Sequence, residues 1–191
     1  SALRLAPGGG REALSSMSHP RRNIELKARY ADLALGRTVA EQLGAFPKGT
    51  LVQTDTYFKV ATGRLKLREI EGAVSELIWY HRSNDASARS SDYTLYPITD
   101  PGTFKTMLSG ALGTWCVVHK RRDLYLWKNV RIHLDEVDGL GSFIEFEAVL
   151  SETEIERDAY DRLAHLRQLF GIRDHDRIAD SYSDLVARLS V

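Results

Sequence analysis

Arg22-Asn23-Ile24-Glu25-Leu26-Lys27-Ala28-Arg29-Tyr30 alternates polar and apolar residues over its whole length. A period of two places Asn23, Glu25, Lys27 and Arg29 on one face of a β-strand and Ile24, Leu26 and Ala28 on the other. The pattern recurs along the chain. Arg64, Lys66 and Arg68 alternate with Leu65 and Leu67, and Glu76 to Arg82 continues it with aromatics. Trp115 to Arg122 ends in Lys120 and Arg122; Arg131, His133 and Asp135 alternate with Ile132 and Leu134; Glu145 and Glu147 alternate with Ile144, Phe146 and Ala148. Shorter candidates lie at Leu51–Val60, Asp92–Ile98 and Leu124–Trp127. About eight strands is enough for a barrel.

Helical spacing appears between the strands. Leu35–Ala45 and Pro101–Leu112 are expected helices, the second with proline in its first turn, a position where the missing N–H costs nothing. Thr153–Phe170 and Ile178–Leu189 carry apolar stripes at near-helical intervals. Residues 21–191 therefore read as one unit, with residues 1–20 as an appended or disordered leader. The leader lacks the apolar run and small-residue cleavage site of a secretory signal. No run of about 20 apolar residues is present. The single cysteine, Cys116, fits a reducing compartment, and a cytoplasmic protein is expected. The 26 basic and 26 acidic residues cancel, so no overall field recruits nucleic acid or an anionic membrane.

Same-face neighbours on a strand are only about 7 Å apart, so the segregation of charge is informative. Lys66 with Arg68 and Lys120 with Arg122 form basic pairs, and Glu145 with Glu147 forms an acidic pair. On a single strand this is an ordinary solvated face. Across six strands the segregation argues for a closed eight-stranded antiparallel barrel of the α+β class, with helices packed outside and a charged, wet lumen. Carboxylates suit Mg²⁺ or Mn²⁺, and lysines and arginines suit a phosphate polyanion. A triphosphate with its metal satisfies both. A lumen whose bases were all paired within the protein would count against that reading.

The order of motifs resembles the CYTH family of triphosphate tunnel metalloenzymes, which groups class IV adenylyl cyclases, thiamine triphosphatases and inorganic triphosphatases. Asn23-Ile-Glu-Leu-Lys27 is similar to its E-x-E-x-K signature. Gln53-x-Asp-Thr-Tyr-Phe58, Gly63-Arg-Leu-Lys-Leu-Arg68, Tyr80-x-Arg82, Lys120-x-Arg122 and the run from Leu134 to Glu147 follow in order. The resemblance implies metal ligation by Glu25, Glu145 and Glu147. It implies phosphate contacts from Lys27, Lys66, Arg68, Arg82, Lys120 and Arg122, with Glu25, Lys27, Arg68 and Lys120 taking part in the chemical step. Arg29 is a further phosphate contact, at the tunnel mouth. Asp135 is either a metal ligand or the partner of a neighbouring base.

Two departures bear on activity. Asn23 replaces the first glutamate of the signature, which weakens the metal site or reduces it to one ion, although an amide oxygen still ligates a hard cation. His19-Pro20 stands where the cyclases carry a His-Phe pair. The expected function is therefore metal-dependent hydrolysis of a triphosphate-containing small molecule by a monomer or homodimer, with a class IV cyclase or a non-catalytic triphosphate sensor as alternatives. His81, His165 and His175 are read as structural or exposed, and His133 is singled out because it shares a face with Asp135. Trp79, Trp115 and Trp127 are expected in the core or barrel packing. Gly139 and Gly141 are expected to turn the chain between the last two strands.

Overall fold

The computed structural model describes residues 21–82, 87–151 and 155–189, the side chains of Arg21 and Arg82 excepted. Eight strands are formed: β1 (Arg21–Arg29), β2 (Phe46–Phe58), β3 (Arg64–Ile70), β4 (Ser75–Arg82), β5 (Arg89–Ile98), β6 (Thr114–Trp127), β7 (Val130–Val137) and β8 (Gly141–Val149). They close antiparallel in the order β1-β5-β4-β3-β2-β6-β7-β8. Four helices are described: α1 (Leu33–Gln42), α2 (Pro101–Leu112), α3 (Glu156–Leu169) and α4 (Tyr182–Leu189). None is long and apolar enough to cross a membrane.

The period-two pattern is resolved as expected. Ile24, Leu26 and Ala28 of β1 point outward, joining Ile132 and Leu134 of β7 and Ile144, Phe146 and Ala148 of β8 in one cluster. Ala40 of α1 and Leu163 and Leu166 of α3 complete it. The main core thus lies between the barrel and its helices, which leaves the other strand face to line the lumen. At Gly36 a β-carbon would stand 2.9 Å from Leu134, so only glycine lets α1 approach β7 this closely. The helix starts follow from their caps: the Asp32 carboxylate accepts from the Leu35 amide at 2.9 Å, and Asp100 accepts from Thr103 at 3.1 Å.

Three sequence expectations are corrected. Trp115–Arg122 and Leu124–Trp127 are one 14-residue strand, β6. Asp123 does not break it, because its carboxylate faces outward and is held by Arg37 at 2.7 Å and Thr50 at 2.6 Å. The last helix begins at Tyr182 rather than Ile178, since Ile178 donates its amide to the Lys27 carbonyl and continues as extended chain. Trp79 and Trp115 are 42% and 38% exposed rather than core residues; the Trp79 indole N–H bonds the Thr62 carbonyl over the β3–β4 side of the barrel. Trp127 does pack against the core and stacks on His165. Gly139 and Gly141 make the β7–β8 turn at φ of 72° and 92°.

The segment leading into α4 closes one end of the barrel. Arg177 bridges to Ala28, and the Ala179 carbonyl accepts from Arg89 at 2.8 Å. Asp184 pairs with Arg64 of β3 at 2.7 Å. Tyr182 enters the barrel, its hydroxyl donating to Asp135 at 2.7 Å and its ring packed edge-on against Phe143.

Candidate functional site

The inward faces enclose a cavity of about 420 Å³. Glu25 and Lys27 reach it from β1, Lys66 and Arg68 from β3, Lys120 and Arg122 from β6, and Glu145 and Glu147 from β8. Strand pairing explains the grouping: Glu25 is the register partner of Glu147 and Lys27 of Glu145, so alternation on two adjacent strands gathers three carboxylates and a lysine on one wall. His133 of β7 completes that wall, with Nδ1 at 3.3 Å from Glu145 and Nε2 at 3.9 Å from Glu147.

Asp55 organises the opposite wall, and it was assigned no role from the sequence. Its carboxylate receives Lys66 at 2.9 Å, Arg68 at 3.0 Å and Lys120 at 3.4 Å while itself only 1% exposed. Burial pushes Asp55 up, but the three cations outweigh it and hold the group well below the usual carboxylate range. The same burial, reinforced by neighbouring guanidinium groups, pulls Lys66 down to about 7 and Lys120 to about 8. One carboxylate serving two buried lysines and the part-buried Arg68 leaves positive charge over.

The carboxylate wall is more evenly paired. Glu145 meets Lys27 at 3.3 Å and Arg122 at 3.0 Å, Glu147 meets Arg131 at 3.1 Å, and Glu25 meets Arg89 at 3.1 Å. Burial raises Glu145 and Glu147, yet Lys27, His133, Arg122 and Arg131 keep both below their ordinary values. Burial and the adjacent Arg122 lower His133 against the pull of the two glutamates.

Asp135 takes the second of its two expected roles. Both oxygens are bonded by Arg122, each at 2.6 Å, and one also by Tyr182. A fully buried carboxylate with both oxygens engaged in this way positions Arg122. Burial opposes its ionisation, but Arg122 brings it down to about 2. Arg29, expected at the tunnel mouth, does not line the cavity. It is exposed, lies over the Phe143 ring at 5.3 Å and bonds the Leu140 carbonyl, because β1 leaves the lumen at the end that Tyr182 fills. Arg82 ends β4, and its side chain lies outside the described residues.

Reading β2 by the period of two would have turned Asp55 inward with Gln53 and Tyr57; its single acid among threonines gave little reason to single it out. Arg89 sits at a strand start outside the expected Asp92–Ile98 segment. Tyr182 lies more than thirty residues beyond the last strand, so only the tertiary fold places it here.

The donor set fits a hard divalent cation. Glu25, Glu145 and Glu147 offer oxygen alone, and Asn23 donates its amide N–H to Glu147, which leaves Asn23 Oδ1 buried without a hydrogen-bond partner. Among the described residues no three acids, histidines or cysteines already converge as a metal cluster, since each glutamate is turned onto a cation.

The architecture and site define a closed tunnel whose lumen carries bases on one wall and carboxylates on the other. The CYTH domain model matches residues 21–182, and the chain belongs to the CYTH family, a family of metal-dependent tunnel proteins. Among solved structures, protein PH1012 of Pyrococcus horikoshii superposes with a TM-score of 0.76 at 22% identity, over 85% of this chain and 98% of that one. A candidate adenylate cyclase of Vibrio parahaemolyticus gives 0.70 at 24%, over 86% and 97%. HpAC1 of Hippeastrum, a candidate adenylyl cyclase with a dominant triphosphatase activity, gives 0.61 at 18%, over 88% and 96%. At these identities the likeness is one of fold. No curated protein matches in sequence.

Proposed function

We propose that the protein binds a triphosphate-bearing small molecule in the barrel with Mg²⁺ or Mn²⁺ and hydrolyses it. The observation that carries this reading is the cluster on Asp55, where Lys66, Arg68 and Lys120 share one buried carboxylate beside the cavity. Buried surplus charge is costly unless completed by an ion of opposite sign. A polyphosphate chain supplies that ion, and Lys27, which faces the same cavity, extends the basic surface toward the carboxylate wall.

In this reading Lys66, Arg68 and Lys120 hold the phosphates and stabilise charge that grows on the transferred phosphoryl group. Arg122, locked by Asp135, presents its guanidinium from a fixed direction. Glu25, Glu145 and Glu147, with Asn23 Oδ1, would hold the divalent cation, which supplies Lewis acidity and lowers the pKa of a bound water. HpAC1 shares the fold and has a dominant triphosphatase activity, which supports hydrolysis over cyclisation.

The test is product analysis by anion-exchange chromatography after incubation with ATP, tripolyphosphate or thiamine triphosphate and Mg²⁺ or Mn²⁺. Orthophosphate release that drops at least a hundredfold in Glu147→Ala is the expected result. Cyclic AMP with pyrophosphate would instead make the protein a cyclase, and triphosphate binding without product would make it a sensor.

A further inference from the structure

Tyr182 does more in the lumen than fill its end. The residue is 4% exposed and its ring is packed edge-on against Phe143, with 5.0 Å between centres. Two ammonium groups lie over that ring, Lys27 Nζ at 4.0 Å from its centre and Lys120 Nζ at 5.2 Å. The two lysines come from β1 and β6, which β7 and β8 separate in the barrel, so no strand pairing sets the distance between them. The hydroxyl reaches a third cation indirectly, since it donates to Asp135, whose two oxygens hold Arg122. One residue of the closing segment thus meets bases from both walls.

The carboxylates alone do not account for where these lysines stand. Lys27 lies 3.3 Å from Glu145 and Lys120 3.4 Å from Asp55, whereas Lys66 meets Asp55 at 2.9 Å. A carboxylate and an aromatic face also act differently on a buried ammonium. The carboxylate cancels its charge, while the ring attracts the cation through its quadrupole and leaves the net charge in place. Donation of the hydroxyl to Asp135 pushes electron density into the ring and strengthens that attraction. Lys66 is served in the same manner, with the Tyr57 and Tyr80 ring centres at 5.4 and 5.7 Å. We propose that Tyr182 is a positioning residue of the anion site: its ring holds the Lys27 and Lys120 ammonium groups at a set separation across the lumen without neutralising them. The closing segment thereby completes the basic surface that grips the phosphates. Without the ring the two lysines settle onto Glu145 and Asp55, and less positive charge faces the cavity. This inference rests on the triphosphate-binding reading and adds to it a residue that acts through other groups rather than on the substrate.

Calorimetric titration with tripolyphosphate and with ATP, each without metal and again with Mg²⁺, reads the effect as affinity. Tyr182→Leu should weaken binding by at least about tenfold, the scale of one desolvated cation–π contact, whereas Tyr182→Phe keeps the ring and should stay within about threefold of wild type. Leu163→Ala, destabilised in the outer core, should bind as wild type does. If Tyr182→Leu does not fold, Tyr182→Met takes its place with the same expectation. Equal losses in the Phe and Leu variants would assign the effect to the hydroxyl, and an equal loss in Leu163→Ala would assign it to stability. Either result sinks the inference, as does a Tyr182→Leu protein that binds like wild type, and all three leave the triphosphate-binding reading standing. Wild-type protein that binds neither anion in either condition would overturn both.

Discussion

Asp55 shows how much a single buried acid decides. With three cations on it, replacement by asparagine removes the only negative charge of the cluster and leaves its bases facing one another. Loss of one partner of a buried ion pair costs about 3–5 kcal/mol, so Asp55→Asn should lower the urea midpoint by that equivalent. Added tripolyphosphate should restore part of the loss, which distinguishes charge repulsion from simple misfolding. The lysines make a second prediction. In the folded chain Lys66 and Lys120 release their protons near 7 and 8, whereas in an unfolded chain they hold them to 10.5. Between about pH 7 and 10.5 the unfolded state therefore binds more protons, and stability of the ligand-free protein should rise with pH across that window. A bound polyanion favours the charged lysines and opposes this. Calorimetric titration with tripolyphosphate at pH 8, in buffers of different ionisation enthalpy, should show net proton uptake by the protein. The uptake should shrink in Lys66→Arg, whose guanidinium stays charged throughout.

At the scale of elements, the strands and the closing segment have different origins. Leu163 and Leu166 of α3 are fully buried on the outer faces of β1 and β8. Leu163→Ala should destabilise the whole molecule by about 2–5 kcal/mol without moving any lumen residue. The segment before α4 is held otherwise, by backbone bonds to β1, by Arg64 on Asp184 and by the Tyr182 hydroxyl on Asp135. Tyr182→Phe removes one hydrogen bond to a buried carboxylate, worth about 1.5–3 kcal/mol. Amide exchange should then report faster opening of Ile178 and Leu185, while the β6–β7 ladder keeps its protection. Each strand was legible one at a time, because alternation needs no partner. The union of Trp115–Arg122 with Leu124–Trp127 was not, because Asp123 resembles a break until Arg37 and Thr50 are seen to hold it.

At the largest scale the described residues form a barrel that carries its main hydrophobic core outside and its charge inside, with Tyr182 filling one end. Metal affinity belongs to this scale, since Glu25, Asn23 and the β8 glutamates meet only once β1 pairs with β8. Asn23→Glu adds a carboxylate next to Glu147 and should raise Mn²⁺ affinity at least about tenfold in a calorimetric titration, with turnover rising at limiting metal. Unchanged affinity would show that Asn23 lies outside the metal's reach. The amino-acid sequence alone determined the barrel, its charged lumen and the identity of most lining residues, because a period of two sorts side chains by face without knowledge of the neighbours. Tertiary structure decided the pairings: that Asp135 serves Arg122, that Asp55 gathers three bases, that Arg29 falls outside, and that Tyr182 closes one end. Those depend on strand register and on contacts between residues far apart in the chain, which no local pattern encodes.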